Sequence, residues 1–446
     1  MHHKRASLLA IVLLFAVAAP ARADKVDDFV KAEMQRQHVP AISIAVIKDG
    51  KIIKVEGYGL ANVELNVPAR PETVYKIGSV SKQFIASGIM LLVQEGKLSL
   101  DDRISKFLDE TPDTWKEITI RHLLTHTSGI IREAPGFDPL KIQSDADVIK
   151  TAYSSALRFA PGEKWEYCNV GYFSLAEIIR KITGKPWGDY LRERLFLPLE
   201  MNATRTTTMT ELVQNRANGY GWRDGALQNA AIYFALRPSG AFLSSVLDLA
   251  KWDAALYTDK FLKQPALDQM WTSVKLNNGT SHPYGFGWEL DTVSGHRLVH
   301  HGGSLPGFRA ELARFVDDKL TVIVLTNGNN AEPDETALGI AAFYIPGLIH
   351  ERTVAKIDPK LLDAYVGQYQ PNPSAGVLTV TRDGDKLMAQ QGSSDKRELL
   401  PETENKFFTK EDRRSTFSFV KDEKGQVTHL VVLIEGREIG RAKKIK

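Results

Sequence analysis

The sequence predicts an α+β unit followed by a small all-β module, and three observations carry that reading. Strand-like runs stand early, in "AISIAVIKDGKIIKVEGYG", and return late, in "HRLVHHGG", "RAELARFVDD" and "LTVIVLTNG", with a helix-rich middle between them. One sheet joining both ends of the sequence satisfies that order. From about Lys356 the texture changes to short alternating runs, "GVLTVTRDGDKLMAQ", "STFSFVKDEKG" and "VTHLVVLIEGREIGRA", punctuated by Asp383-Gly384 and Lys424-Gly425. Finally, 446 residues exceed one small core, so two or three domains are expected.

The first element is a targeting segment. A basic "MHHKR" precedes the apolar "ASLLAIVLLFAVAAP", and Ala21-Arg22-Ala23 forms a small-x-small cleavage site before Asp24. That pattern predicts a signal peptide over residues 1–23, cut after Ala23, and a secreted or periplasmic protein. A membrane anchor needs a longer apolar run than these roughly 15 residues.

Next, "VDDFVKAEMQRQHV" has helical spacing, and the two strands that follow meet at Asp49-Gly50, a strong hairpin signal. Over 80–95, Val80, Phe84, Ile85, Gly88, Ile89, Leu92 and Val93 form a wide helical stripe stopped at Gly96. Ser79 therefore falls at the N-terminal end of a deeply buried helix. "SLAEIIRKITGK" and "SSVLDLAKWDAALY" are amphipathic, the second opened by a cap at Ser244 or Ser245. The expected domains are 24–352 and 357–446.

Loss of residues 1–23 removes Lys4, Arg5 and Arg22 and no acid, so the formal charge falls from +3 to zero. No basic surplus remains to argue for nucleic acid. Cys168 is the only cysteine, which excludes an intramolecular disulfide, and it lies far from the signal boundary that a lipid-anchored N-terminus would use. No stable membrane anchor is expected, and the oligomeric state is left open.

The chemistry-bearing candidates begin with Ser-x-x-Lys, which occurs at Ser79–Lys82, Ser393–Lys396 and Ser418–Lys421. On a helix positions i and i+3 share a face, whereas on a strand they point to opposite faces. Ser418 falls in a strand-like run and Ser393 in a polar loop, so only Ser79 and Lys82 are placed to touch. A serine at a helix N-terminus can offer its own N–H to a developing oxyanion, and a desolvated lysine can accept the serine proton. The bland alternative is a helix cap beside a lysine that reaches water.

The rest of the chain favours the first reading. "EYCNVGY" contains Tyr167-Cys168-Asn169, and "LVHHGGSLPGF" contains His301-Gly302-Gly303. In this order the motifs resemble those of the serine β-lactamase and penicillin-recognising hydrolase superfamily, the class C-related branch with its D-peptidases and esterases. "ITIRHLLTHTSGI", "PSGAFLSSVLDLAKW" and "YGFGW" look family-like as well, over roughly residues 30 to 345. The resemblance implies a β-lactamase/transpeptidase-like fold, with an antiparallel sheet flanked by helices plus a helical subdomain. By the same resemblance Ser79 forms an acyl-enzyme, and Lys82 and Tyr167 shuttle protons. Asn169 binds a substrate amide, His301 and Gly303 form the third motif, and the N–H groups of Ser79 and Ser304 make the oxyanion hole.

The implied substrate is a small molecule or peptide with an ester, amide or lactam carbonyl, and no cofactor or metal is expected. His122 and His126 have zinc-like spacing but no glutamate or third ligand, and they read as core or cap histidines. Cys168 lacks a cationic partner and reads as a buried filler. The superfamily's best-known antibiotic hydrolases carry lysine where His301 stands. A mostly neutral histidine shifts the expectation toward an esterase or a D-amino-acid peptidase, with a class C-like β-lactamase or an inactive penicillin-recognising sensor as alternatives. The C-terminal module resembles the lipocalin-like β-barrel appended to some relatives, which implies that it either borders the cleft and restricts its entry or packs beside the hydrolase.

Replacing Ser79 with alanine is expected to lower hydrolysis by on the order of a thousandfold or more while the protein still folds. Ser393→Ala and Ser418→Ala should be near silent in the same assay, in samples free of wild type.

Overall fold

The computed structural model describes residues 24–206, 211–231, 237–349, 352–371, 376–392, 396–409, 415–434 and 437–446. The signal-peptide reading and the loop at Ser393 lie outside the described residues.

Helix α1 (Lys25–Arg36) opens with a capping box, in which Asp24 accepts from Val26 and Asp27 N–H. Strands β1 (Ala41–Lys48) and β2 (Lys51–Asn62) follow, with a short β3 at Val67–Pro68. Asp49 and Gly50 both take positive φ, 50° and 73°, as a two-residue hairpin turn with the strands' own twist requires. The late strands β4 (Glu289–Val293), β5 (His296–Leu305), β6 (Phe308–Phe315) and β7 (Leu320–Thr326) complete a seven-stranded antiparallel sheet in the order β4-β5-β6-β7-β1-β2-β3. The early and late strands meet where Ile42 pairs with Thr326 and Lys48 with Leu320.

Central strands β1 and β7 are apolar without alternation because both faces of the sheet are covered. On one face lie α1 and α5 (Pro333–Ala341), packed with Val30, Ile44, Val322, Phe315 and Ile340. The other face carries the larger core and the helical middle, including α2 (Lys82–Gln94), α3 (Asn169–Thr183) and α4 (Val246–Ala255). Ser245, one of the two residues considered, caps α4. Phe84 of α2 meets Phe196, Phe242 and Trp252 edge-on, with centroids 5.0 to 5.5 Å apart.

The C-terminal strands close into an eight-stranded barrel, β8 (Gly367–Gln370) to β15 (Arg437–Lys444). The seam is the pairing of Tyr369 with Lys444, and closure leaves no open edge. Fully buried Tyr365, Tyr369, Phe407 and Phe419 fill its interior. Ser418 and Lys421 lie together on one strand here, Ser415–Lys421, where their side chains diverge.

Across the main core, Arg314 of β6 donates from Nε to Asp253 of α4 at 2.8 Å, and Thr321 of β7 donates to the same oxygen at 2.9 Å. Both charges are buried, and the guanidinium stacks at 4.6 Å over Trp271. Removing one member of a buried pair strands the other charge. Asp253→Ala is therefore expected to cost about 3–5 kcal/mol, measurable as a lowered guanidinium midpoint for the sheet-bearing part of the chain.

Candidate active site

Ser79 lies in a 3₁₀ turn, Gly78–Ser81, which runs directly into α2 at Lys82. The α-helix thus begins just after the serine, and since i and i+3 eclipse in a 3₁₀ turn, the pair still shares one face. Lys82 is wholly buried, with Nζ 3.3 Å from Ser79 Oγ, 2.9 Å from Asn169 Oδ1 and 2.9 Å from the Ser239 carbonyl. The rings of Tyr167 and Tyr172 flank it at 4.6 and 5.2 Å. Burial, reinforced by the Arg237 guanidinium, holds the Lys82 amine well below its ordinary range, with Glu133 opposing. A neutral amine has two N–H donors and one lone pair. Two carbonyl acceptors take the donors, so the lone pair is left to face the Ser79 hydroxyl.

Tyr167 has the opposite tendency. Burial raises its phenol above the usual range, and its hydrogen bond to Ser79 offsets this only in part. With Lys82 poised neutral and Tyr167 poised protonated, the lysine is the group arranged to accept a proton and the tyrosine the group arranged to pass one on.

The backbone of β5 approaches the serine turn closely. A Cβ on Gly303 would stand 1.9 Å from the Ile77 carbonyl, and one on Gly78, at φ 53°, would stand 2.5 Å from Ser304 N. Only glycine permits that contact, which brings the Ser304 nitrogen beside the serine turn.

The spelling His-x-Gly fits both His300-His301-Gly302 and His301-Gly302-Gly303, and strand alternation separates them. His301 is buried on the cleft side, its ring 6.2 Å from Tyr167. His300 faces the other side, bonded to Glu311 at 2.9 Å and Asp291 at 3.2 Å. Burial pushes His301 down to about 3. It is neutral across the physiological range, so it supplies no positive charge to a substrate carboxylate.

Sequence reasoning missed the groups behind these. Asn169 Nδ2 donates to Glu133 Oε1 at 2.5 Å, and Arg237 Nη2 donates to Glu133 Oε2 at 2.5 Å. Arg132 lies 5.0 Å over the Tyr167 ring. Glu133 and Arg132 sit in a loop without periodicity, and a loop charge carries no sequence signal until the fold aims it. His122 caps a short helix and His126 is buried among aromatic rings, as core and cap histidines should be. The Cys168 thiol donates to the Ile131 carbonyl and accepts from Gly171 N–H, and burial pushes it up to about 12. It is unsuited to be a nucleophile.

Residues 26–345 match the protein family described as Beta-lactamase. The chain belongs to the beta-lactamase family. Members of that family are serine hydrolases acting on amide, ester or lactam bonds. Residues 351–441 match a second description, Domain of unknown function (DUF3471). Penicillin-binding protein 4* of Bacillus subtilis (strain 168) is 30% identical over 395 residues, 82% of this chain and 87% of that protein. The octameric penicillin-binding protein homologue from Pyrococcus abyssi superposes with a TM-score of 0.66 at 28% identity, covering 94% of this chain and 99% of that one. The D-amino acid amidase from Ochrobactrum anthropi SV3, solved with L-phenylalanine amide, gives 0.61 at 25% identity, covering 68% and 92%.

Among the described residues of this beta-lactamase-family chain, no helix is long and apolar enough to cross a membrane. Because Arg237 helps to keep Lys82 unprotonated, Arg237→Ala should raise the Lys82 pKa. The rising limb of the kcat/KM profile on a neutral ester is then expected to move to higher pH, and an unmoved limb would remove Arg237 from the electrostatics of the site.

Proposed function

We propose that the protein is an exported serine amidase or esterase that works through an acyl-enzyme on Ser79 and prefers substrates with a free ammonium group beside the scissile carbonyl, such as D-amino acid amides or short D-peptides. The observation that carries the chemistry is the trio of contacts on Lys82 Nζ, which aims a neutral amine at Ser79 Oγ. Ser79 Oγ attacks the carbonyl carbon and its proton passes to Lys82. The oxyanion rests on the N–H groups of Ser79 and Ser304. Collapse breaks the C–N or C–O bond, with Tyr167 relaying the proton to the leaving group. Water then attacks the acyl ester and Ser79 regains its proton.

Glu133 supports the substrate class. The Asn169 amide is already engaged by Lys82 on one side and Glu133 on the other, so it is not free to clasp an acylated side chain. The Glu133 carboxylate accepts from Asn169 and Arg237 but is still 46% exposed, and its remaining lone pairs are suited to an ammonium. Neutral His301 argues in the same direction, against substrates held by a carboxylate. The name of the amidase relative fits this class, and the signal-peptide reading of residues 1–23 supports export.

The domain proposal, 24–352 and 357–446, is supported by two separate matches and two separate sheets. Ile439 of the barrel lines a cavity of about 920 Å³ with Leu298, Phe315 and Leu338, on the face of the sheet that packs α1 and α5. This favours a barrel that packs beside the hydrolase over one that borders the cleft.

The test is steady-state kinetics on a D-amino acid amide, its N-acetyl derivative, a neutral aryl ester and a chromogenic cephalosporin. The free-amine amide should outpace its N-acetyl derivative, and Glu133→Gln should shrink that ratio tenfold or more, as loss of a hydrogen bond to a charged group worth roughly 1.5–3 kcal/mol implies. Equal turnover of the two amides, or a preference for the cephalosporin, would overturn the substrate class.

A further inference from the structure

A buried hydrogen-bonded chain runs behind the cleft to His301 through His126 and Tyr284, which have no part in the proposed reaction. Cys168 N–H donates to His126 Nδ1 at 3.1 Å. His126 Nε2 lies 3.1 Å from the Tyr284 hydroxyl, which lies 3.1 Å from His301 Nε2. His301 Nδ1 ends the chain at the Gly302 carbonyl, 2.6 Å away. His126, Tyr284 and His301 are all buried.

The chain has one direction. A backbone N–H can only donate, so His126 Nδ1 is the acceptor and a neutral His126 carries its proton on Nε2. Burial keeps His126 neutral. The Tyr284 oxygen accepts that proton and must send its own onward. Neighbouring Tyr172 spends its proton on the Leu124 carbonyl at 3.1 Å, so toward Tyr284 its oxygen can act only as a second acceptor beside His301 Nε2. A carbonyl can only accept, so His301 carries its proton on Nδ1 and presents the Nε2 lone pair to Tyr284. The tautomer of each ring is fixed by a backbone group at one end of the chain.

We propose that Tyr284 is a positioning residue that locks His301 as the Nδ1–H tautomer, tying the segment that bears Tyr167 and Asn169, at the start of α3, to the strand that bears Gly303 and Ser304. The two halves of the proposed catalytic site sit on segments more than a hundred residues apart, and Tyr284 is the side chain through which they are hydrogen-bonded behind the cleft. A locked imidazole cannot turn its acceptor nitrogen toward Tyr167 or Lys82 and compete for the serine proton. The groups facing His301 are Lys82 on α2, Tyr167 on the loop before α3, Glu289 Oε1 on β4 at 3.9 Å, His300 beside it on β5, and Tyr284 itself. The kinetic part of this inference rests on the acyl-enzyme reading, whereas the tautomer does not.

Nitrogen-15 NMR of histidine-labelled protein, with His301 identified by loss of its signals in His301→Gln, reads the tautomer directly. In the wild type His301 should show a protonated Nδ1 and a bare Nε2, unchanged from pH 9 to pH 5. A wild-type His301 that is protonated on Nε2, or that titrates near pH 6.5, would overturn the proposal whether or not any variant folds. Tyr284→Phe removes only the hydroxyl. It should mix the His301 tautomers and lower kcat on a neutral ester tenfold or more, with KM changed less than threefold. A variant with the tautomer mixed and kcat unchanged, or with kcat lost and the tautomer intact, would refute the positioning role. Ser79→Ala, measured separately, should abolish turnover and leave the His301 signals as they are. Should it keep its activity, the acyl-enzyme reading fails while the tautomer result stands.

Discussion

The burial of one amine organises this molecule's candidate site. Lys82 is placed at the first turn of a helix whose other residues fill the main core, so its stem cannot withdraw to water as lysines on surface helices do. A charged ammonium in that position would be costly, and the surroundings resolve the cost by favouring the neutral form. Two acceptors, Asn169 Oδ1 and the Ser239 carbonyl, take its protons. Everything the pair can do chemically follows from that lone pair facing a serine hydroxyl.

The sheet holds the other half of the arrangement. Its central strands are covered on both faces, by α1 and α5 on one side and by the helical middle on the other. That rigid slab presses the backbone of β5 against the serine turn at a separation only glycines allow. The buried Asp253–Arg314 pair joins α4 to β6 across the same core. The position of Ser304 N–H relative to Ser79 is therefore a property of sheet packing rather than of any local motif.

His301 illustrates how far a residue's meaning depends on its surroundings. In isolation an imidazole titrates near pH 6.5 and would give this site a charge that varies with acidity. Burial makes it neutral instead, with its Nε2 set against the Tyr284 hydroxyl. Its neighbour His300, one residue back and on the opposite face, is pushed up to about 10: burial alone would lower it, but Glu311, Asp291 and Glu289 outweigh that. Two adjacent histidines are driven in opposite directions because strand alternation sends them into different environments.

The sequence by itself determined the order of elements, the hairpin at Asp49-Gly50, the buried helix after Ser79, the change to β structure after Lys356 and the choice of Ser79–Lys82 over Ser418–Lys421. These are consequences of periodicity and turn chemistry, which act over a few residues and leave a mark in the local pattern. The family motifs added Tyr167, Asn169, His301 and Ser304 as companions. Only the tertiary structure decided that Glu133 grips the Asn169 amide, that the Ser239 carbonyl completes the lysine's shell, and that His126 and Tyr284 wire one motif to the next. Those residues lie in loops or at isolated core positions, where no repeat marks them. Their roles come from distances across the fold, and the electric environment of a side chain is set by what packing brings within a few ångströms of it.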